Sequence, residues 1–103
     1  MSAFEAIAEP TRRRIVELLA DGERSAGEIA SHFSTSRPGI SRHLRVLHKH
    51  GLVTARAEGT RRLYALDPTP LVEVDEWLER YRCFWPNRLD ALETEIRRRR
   101  RNT

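Results

Sequence analysis

Cysteine, long apolar runs and targeting segments are scarce in this sequence of 103 residues. The single cysteine, Cys83, excludes an intramolecular disulfide framework and is typical of a protein in a reducing compartment. No apolar run approaches the roughly 18 residues that mark a membrane helix. The first residues lack the basic and apolar regions of a signal peptide. We therefore expect a cytoplasmic protein with no membrane partner.

Residue patterns that support enzyme or metal chemistry are also missing. The sequence contains no nucleophile beside a base, no paired carboxylates and no glycine-rich phosphate loop. A stable zinc site needs about four nitrogen or sulfur ligands. His43, His48 and His50 are offset by five and two residues, which does not place three imidazoles on one helix face. The sequence therefore predicts neither an enzyme nor a metal site or other cofactor.

Charge is distributed unevenly along the chain, whose net charge is +4. Residues 11–62 contain eleven Arg or Lys and five Asp or Glu, whereas residues 67–95 contain three Arg and eight Asp or Glu. The length is typical of one domain, so residues 1–103 are predicted to fold together. A basic centre beside an acidic segment indicates that one face of this domain meets a polyanion.

Residues 36–51 form the clearest predicted helix. Ser36 is suited to the N-cap, Pro38 to the first turn and Gly51 to the position after the C-cap. Apolar residues at i, i+4 and i+7 share one face, which we expect to be buried. These residues are Ile40, Leu44 and Leu47.

The opposite arc of this helix carries no carboxylate. A helix that only faces solvent usually mixes acidic and basic residues, because ion pairs at i and i+4 stabilise it. An arc of basic, hydroxyl and imidazole side chains instead favours contact with DNA phosphates and base edges. The arc comprises Arg37, Ser41, Arg42, Arg45, His48 and Lys49.

A shorter predicted helix and a β-hairpin flank this basic helix. Ser25 and Glu28 match a capping box that begins a helix extending to about residue 33, so residues 25–50 are predicted to be a helix-turn-helix. Alternating side chains within residues 52–66 predict two strands, 52–57 and 62–66, joined by residues 58–61. A hairpin after a recognition helix is a wing. We expect its Arg56, Arg61 and Arg62 to reach the DNA backbone or minor groove.

Both ends of the chain carry apolar side chains that a small domain cannot cover alone. Helices are predicted within residues 1–20, and a long helical segment within residues 68–101, interrupted at Pro86. The long segment has an apolar stripe with near-heptad spacing. We expect both regions to join two copies of the chain, the alternative being that the stripe packs onto its own core. The predicted interface comprises Phe4, Ile7, Leu71, Val74, Leu78, Tyr81, Trp85, Leu89 and Leu92.

Three consecutive arginines, Arg12, Arg13 and Arg14, follow Pro10 in the first turn of the second predicted helix, which extends from Pro10 to Ala20 and is ended by Asp21-Gly22. The helix dipole disfavours cations at this end. Phosphate contact would explain them, and simple solvation is an equally good interpretation.

Four segments of the sequence resemble the ArsR/SmtB family of bacterial repressors: Glu9-Pro-Thr-Arg12, Gly27-Glu-Ile-Ala30, residues 36–47 and Gly51-Leu-Val53. The resemblance covers roughly residues 4–66 and is most specific at the Ser-x-Pro-x-x-Ser-x-His-Leu-x-x-Leu pattern of residues 36–47. It implies a winged-helix homodimer, joined through its first and last helices, that occupies an operator and releases it on a signal. By position, the resemblance also implies DNA contacts from the wing arginines and from Ser36, Arg37, Pro38, Ser41, Arg42 and His43.

The metal-ligand patterns of many family members are absent here. Metal-sensing members carry a Cys-x-Cys type cluster before the recognition helix, or Asp, His and Glu ligands along the last helix. Residues 26–33 contain no cysteine and residues 68–96 contain no histidine. The resemblance is therefore to metal-independent members, in which the inducer is frequently unclear and some members act as autorepressors.

The predicted fold is mainly α, a winged helix-turn-helix with a two-stranded wing and a long C-terminal dimerisation helix or helices. The predicted function is that of a homodimeric, sequence-specific transcriptional regulator of double-stranded DNA, a repressor of an inverted-repeat operator that could regulate its own gene. The alternative is a protein-interaction module that uses the C-terminal aromatic stripe, with DNA binding secondary. The sequence does not identify a small-molecule inducer.

Overall fold

Helices are the main elements of the described residues, and a small antiparallel sheet lies beside them. A computed structural model describes residues 2–85 and 96–97. Over these residues the helices are α1 (Ala3–Ile7), α2 (Pro10–Ala20), α3 (Ala26–Ala30), α4 (Arg37–Lys49) and α5 (Val72–Glu79), and the strands are β1 (Arg24–Ser25), β2 (Val53–Glu58) and β3 (Arg61–Leu66). Short 3-10 turns, Thr69–Leu71 and Arg82–Phe84, flank α5. The predicted order of a helix-turn-helix, α3 and α4, followed by a hairpin is confirmed.

The capping box predicted for α3 is present. The Ser25 hydroxyl accepts a hydrogen bond from the backbone N–H of Glu28 (3.2 Å), and the Glu28 carboxylate accepts one from the N–H of Ser25 (3.2 Å). The helix ends at Ala30, earlier than predicted. The N–H of Phe33 bonds to the carbonyl of Ala30 (3.1 Å), which tightens the last turn into 3-10 geometry.

Glu28→Gln is expected to destabilise the domain at neutral pH but not in acid. The pKa of Glu28 lies below its ordinary value of 4.5, chiefly because the backbone N–H of Ser25 donates to its carboxylate. A carboxyl whose pKa is lowered by folding stabilises the fold above its ordinary pKa and loses that contribution as the pH falls through the folded pKa.

Urea unfolding of the parent and Glu28→Gln between about pH 7 and about pH 3 measures this difference. The matched control is Glu76→Gln, which removes an exposed carboxylate of α5. A stability difference for Glu28→Gln that stays constant down to the lowest pH would show that the carboxylate charge is not what stabilises the cap.

Local hydrogen bonds close both ends of α4. Ser36 accepts a bond from the N–H of Gly39 (3.4 Å) at the N-terminus, as predicted. Gly51 follows the C-terminus with φ +78°, and the N–H of Leu52 donates to the carbonyl of Leu47 (3.0 Å). This is a Schellman-type end, which satisfies carbonyl groups that the helix leaves without partners. The predicted bounds of α4 are thus confirmed.

The wing turn is tighter than the sequence predicts. Glu58 pairs with Arg61 across the hairpin, which leaves the two-residue turn Gly59-Thr60. Gly59 has φ +62°. A positive φ at the first turn residue is typical of a type II′ turn, which matches the twist of the two strands.

The sheet contains a third strand that the sequence analysis did not predict. Strand order is β1-β3-β2, and all pairs are antiparallel. In β1, Arg24 lies opposite Tyr64 and Ser25 lies opposite Leu63. The chain between α2 and α3 is thereby attached to the base of the wing, so the helix-turn-helix and the hairpin are held in one unit.

The core lies where α2, α3, α4 and the base of the wing meet. Ile40, Leu44 and Leu47 of α4 are 0%, 1% and 0% exposed, as their spacing predicts. Burial of a large aliphatic side chain contributes about 1.5–3 kcal/mol. The apolar face of α4 therefore fixes the helix to the domain and leaves the opposite arc facing outward. Core residues from the other elements include Ile15, Leu19, Ile29, Leu52 and Val53.

The N-terminal helix α1 packs against α5. Phe4 meets Trp77 edge to face with ring centroids 5.8 Å apart, and the rings of Trp77 and Tyr81 lie 4.9 Å apart. The backbone N–H of Ala3 donates to the carboxylate of Glu73. These contacts hold α1 and α5 together.

Within the described residues, the apolar stripe of residues 71–85 is not helical throughout. α5 ends at Glu79, well before Pro86, and a 3-10 turn follows. Arg82 in that turn donates to the carboxylates of Asp75 and Glu79, which holds the turn against α5. Trp85 has left helical geometry, with φ −126° and ψ 47°. A proline disfavours the α conformation at the residue before it, which accounts for this change.

Candidate nucleic-acid interface

The outward arc of α4 presents unpaired positive charge. Arg37, Arg42, Arg45 and Lys49 are exposed, and none forms an ion pair with a residue between 2 and 85 or with 96–97. The N-terminal end of the same surface contains the exposed Ser36 and Pro38 and the half-buried Ser41. Guanidinium, ammonium and hydroxyl groups on one helix side are suited to phosphate oxygens and to base edges.

Two histidines, His43 of α4 and His50 at its C-cap, face the N-terminal segment instead of this arc. His43 Nδ1 lies 3.8 Å from Glu9 Oε2, and its side chain is 23% exposed. His50 Nδ1 donates to the carbonyl oxygen of Val46 (2.9 Å), and Nε2 lies 3.6 Å from Glu5 Oε2. His43 therefore differs from the other predicted DNA contacts, because in the free chain one of its ring nitrogens already faces a carboxylate.

The pKa of Glu9 lies below its ordinary value. Burial acts to raise this pKa and is the largest single cause, but four lowering causes together outweigh it: hydrogen bonds from the backbone N–H groups of Arg12 and Thr11 and the charges of His43 and Arg12. Glu9 also caps α2 by accepting that N–H bond (2.9 Å). The Glu9 carboxylate thus caps the N-terminus of α2 and also lies near His43 of α4.

The three wing arginines differ in their partners. Arg56 makes a bidentate contact with Glu23, with Nε and Nη2 at 2.9 and 2.7 Å from the two carboxylate oxygens. This hydrogen bonding holds the pKa of Glu23 below its ordinary value. Arg61 Nη1 lies 3.7 Å from Glu28 Oε1. Arg62 is exposed and has no ion pair within the described chain.

In the free chain, two of the three wing arginines that are predicted to contact DNA, Arg56 and Arg61, thus lie beside carboxylates. Glu23 lies far from Arg56 in sequence, and no local pattern links the two residues. Sequence analysis missed this pairing for that reason. The sequence offered one indirect clue to this pairing, because Glu23 directly precedes β1. Nothing in the sequence of β1 itself identifies it as a strand.

Two of the three arginines in the first turn of α2 have partners within the described chain. Arg12 Nε donates to the carbonyl oxygen of Ala6 (2.7 Å), and Arg12 Nη2 donates to that of Glu5 (3.1 Å). Arg14 pairs with Glu17 (3.1 Å). Arg12 therefore fastens α1 to α2 instead of projecting toward a phosphate.

An apolar surface lies along α1 and α5. Of the predicted interface residues, Phe4 and Trp85 are 37% and 42% exposed, and Leu89 and Leu92 lie outside the described residues. Trp77 and Val72, which the prediction did not include, are 49% and 53% exposed. The half-buried members are Ile7, Leu71, Val74, Leu78 and Tyr81.

Other candidate sites are few in the part of the chain that the structure describes. No group of three or more His, Cys, Asp and Glu side chains within residues 2–85 and 96–97 is arranged to hold a metal ion. Cys83 is exposed and reduced. None of the described helices is long and apolar enough to cross a membrane.

Comparison with known proteins gives a family match to the segment that contains α4 and its supporting helices. The model of the arsR family of bacterial regulatory proteins matches residues 9–55, which include α2, α3, α4 and the start of β2. The HTH-type transcriptional regulator Rv2034 of Mycobacterium tuberculosis is 47% identical over 84% of this chain and 78% of that protein. The transcriptional repressor SdpR of Bacillus subtilis is 39% identical over 75% of this chain and 86% of that protein.

A solved structure with the same architecture is the homodimeric winged helix-turn-helix DNA-binding domain of Mb0332 from Mycobacterium bovis, determined in solution by NMR. It matches this chain with a TM-score of 0.61 and 33% identity, over 73% of this chain and 69% of the other. The likeness confirms the winged-helix fold.

Proposed function

Because the chain belongs to the arsR family of bacterial regulatory proteins, we propose that it is a homodimeric repressor of an inverted-repeat operator. The family and its named relatives are transcriptional regulators, not enzymes. The repressor role is supported by the B. subtilis relative, and the homodimer by the M. bovis domain. A repressor of chromosomal genes acts in the cytoplasm. The alternative of a protein-interaction module is not favoured, since no relative described above is one.

The observation that carries the proposal is the unpaired basic arc of α4. The apolar face of α4 is anchored in the core, so the arc can enter the major groove without a rearrangement of the domain. In a two-fold dimer, two such helices about 34–36 Å apart would meet successive major grooves of a palindromic site. The proposed DNA contacts are Ser36, Arg37, Pro38, Ser41, Arg42, His43 and Arg45 of α4, with Arg56, Arg61 and Arg62 of the wing.

The proposed dimer interface is the apolar surface of α1 and α5. Phe4 and Trp77 meet edge to face and still expose 37% and 49% of their surface. Exposed aromatic side chains that are contiguous on a small domain are typical of a protein interface. A second copy of the same surface covers them in the proposed dimer, together with Ile7, Leu71, Val74, Leu78, Tyr81, Trp85, Leu89 and Leu92.

Glu23→Gln is expected to strengthen DNA binding by roughly two- to tenfold at low salt. Arg56 must exchange the Glu23 carboxylate for a phosphate when the wing contacts DNA. A glutamine competes less well for the guanidinium because it carries no charge. Fluorescence anisotropy with a labelled operator fragment measures the affinity.

Glu17→Gln is the matched control, because it removes one negative charge from a surface ion pair with Arg14 on α2. Weaker DNA binding by Glu23→Gln than by the control would mean that the Arg56–Glu23 pair holds the wing in shape and that Arg56 does not exchange partners.

The proposed function is tested by binding of the full chain to its own upstream DNA and to a scrambled fragment across a salt series. We expect selective binding to the upstream fragment with a steep salt dependence, since cationic side chains displace counterions from the phosphates. Equal affinity for both fragments would contradict autoregulation. Weak, salt-insensitive binding by a monomer would contradict the proposed function as a whole.

The DNA titration repeated with added zinc, and separately with peroxide, tests whether a metal ion or oxidation changes operator binding. We propose a metal-independent regulator, and therefore expect operator binding to be unchanged by zinc. Cys83 lacks a second cysteine in its own chain with which to form a disulfide. Release of the operator by peroxide would assign a redox role to this residue.

A further inference from the structure

The ring of His50 contains a buried nitrogen that lacks a hydrogen-bond partner. His50 is the C-cap of α4, and its side chain is 8% exposed. Nδ1 lies 2.9 Å from the carbonyl oxygen of Val46. Nε2 is buried and has no hydrogen bond with any residue between 2 and 85 or with 96–97. A buried polar atom without a partner costs free energy, so a state of the ring in which Nε2 is bonded is favoured.

The hydrogen bond at Nδ1 determines which nitrogen carries the proton of the neutral ring. A carbonyl oxygen only accepts, so Nδ1 must hold the proton, and Nε2 then has a lone pair. Glu5 Oε2 lies 3.6 Å from Nε2, and an ionised carboxylate also only accepts. Two acceptors therefore face each other when the ring is neutral. A second proton on the ring turns this contact into one between a donor and an acceptor.

Two further features favour a second proton on this ring. His50 lies at the C-terminus of α4, where the helix dipole favours a positive charge. The side chain of Glu5 is 68% exposed, so a small rotation brings its carboxylate within hydrogen-bond distance of Nε2. Burial of the ring disfavours the charged form. The carboxylate and the helix dipole both act against that cost.

The other charged groups of the surrounding elements mostly have other partners. Arg12 donates to the backbone carbonyls of Glu5 and Ala6, and its positive charge acts against a charge on His50. The carboxylate of Glu73 accepts from the N–H of Ala3, and that of Asp67 accepts from the N–H of Thr69 (3.0 Å). The remaining groups are Lys49, next to His50 in the chain, and the His43–Glu9 pair near the middle of α4.

We propose that the His50–Glu5 pair is a proton-binding site that joins α1 to the C-terminal end of α4. In the protonated state Nε2 donates to the Glu5 carboxylate, and a charge-assisted hydrogen bond holds α1 against α4. Loss of this proton removes the bond. Imidazoles ordinarily titrate near about pH 6.5, so the site responds to pH in the physiological range.

The pair lies between the two surfaces of the proposed function. α1 contributes Phe4 and Ile7 to the proposed dimer interface, and α4 carries the basic arc. A proton that fixes α1 against α4 therefore fixes the dimer interface relative to the DNA-binding surface. We expect operator affinity to rise as the pH falls for this reason. That consequence rests on the proposed function, whereas the proton site does not.

The first experiment follows the ring nitrogens of His50 by NMR in the full chain, between about pH 8.5 and about pH 5.5. We expect Nδ1 to be protonated throughout and Nε2 to gain its proton as the pH falls. Glu5→Gln should weaken proton binding by about two- to fivefold, because the charge is lost and the amide N–H donates to the unprotonated Nε2. Glu17→Gln removes a surface carboxylate on α2 and should leave proton binding unchanged.

Two results of the NMR experiment would overturn the site. One is a neutral ring with its proton on Nε2 instead of Nδ1. The other is equally strong proton binding by His50 in the parent and in Glu5→Gln. The exposed position of Glu5 means that its replacement removes no core contact, so the variant is expected to fold.

The second experiment compares urea unfolding of the parent and of Glu5→Gln over the same pH range. A folded state that binds a proton more tightly than the unfolded chain gains stability as the pH falls. We expect the ratio of the two unfolding equilibrium constants to shift by about two- to fivefold in favour of the parent between the highest and lowest pH. Contributions from the other histidines are common to both proteins and cancel in this ratio. A ratio that is independent of pH would overturn the site.

The third experiment measures operator binding by the same two proteins at both ends of the pH range and at constant salt. The affinity of the parent relative to Glu5→Gln should rise as the pH falls. A constant affinity ratio beside a pH-dependent stability ratio would overturn the link between α1 and DNA binding. Failure of the parent to prefer operator over scrambled DNA at any pH would contradict the proposed function. The NMR and unfolding results would then still support the proton site.

Discussion

Arg42→Gln is expected to lower the affinity for operator DNA by about tenfold or more and to reduce the preference for operator over scrambled DNA. A guanidinium at a guanine edge contributes about 1–3 kcal/mol of discrimination, and a dimer carries the change twice. Arg42 is exposed and has no ion pair with the described residues, so its loss removes no contact that supports the fold. Anisotropy titrations with both fragments at one fixed salt concentration measure the two affinities.

The matched control for this prediction is Arg80→Gln. It changes the net charge equally but lies at the C-terminal end of α5, away from the proposed recognition surface. Equal losses in the two variants would show that total charge, and not a contact from α4, accounts for the effect. A loss of affinity without a loss of selectivity would place Arg42 at a phosphate instead of a base. The free energy of unfolding of Arg42→Gln should stay within about 0.5 kcal/mol of the parent.

Leu47→Ala is expected to lower the free energy of unfolding by about 2–5 kcal/mol. Leu47 is 0% exposed and packs in the cluster that joins α4 to α2, α3 and β2. Truncation removes the transfer free energy of the side chain and leaves a cavity that neighbouring residues fill only in part. Since a domain is typically stable by only about 5–15 kcal/mol, this loss is a large fraction of the total. Chemical denaturation followed by circular dichroism measures the effect.

Leu47→Met is the control, because it keeps nearly the same volume and should cost less than about 1.5 kcal/mol. A loss below about 1 kcal/mol for Leu47→Ala would contradict the packing of α4 described above. Operator affinity gives a second comparison. At a temperature at which Leu47→Ala remains folded, it should bind the operator like the parent, because the outer arc of α4 is intact.

Features that short sequence patterns determine were predicted well. The caps at Ser25 and Ser36 and the end at Gly51 depend on residues within a few positions of each other, and so does the buried stripe of α4. The bounds of α2, Pro10–Ala20, follow in the same way from a proline near the start and an Asp-Gly pair after the end. The helix-turn-helix could therefore be derived from local chemistry alone.

Features that depend on distant residues were not predicted. The strand β1 has two residues, too few for an alternating pattern, and it forms because the edge of β3 is available to pair with it. The C-terminal stripe keeps its helical spacing as far as Trp85, although α5 ends at Glu79 and Trp85 has non-helical geometry. The following proline disfavours the α conformation at Trp85, and the spacing of apolar residues does not show that effect.

The sequence predicts which residues form the candidate interface, but not which of its arginines are paired with carboxylates. The sequence identifies the basic arc of α4 because the helix and its register are local properties. It cannot distinguish Arg62, which has no described partner, from Arg56, which Glu23 neutralises from another part of the chain. That distinction determines which wing arginine is ready to bind an anion.

The position of β2 has a consequence for solubility. Among the described strands, β2 lies at the outer edge of the sheet, and five of its six residues are exposed. An edge strand with free backbone groups is a template for pairing with another chain, and charged side chains on the edge oppose that pairing. Arg56 and Glu58 place opposite charges along this edge. A variant that exchanges both for β-branched apolar residues would therefore be prone to aggregation, whatever its effect on DNA.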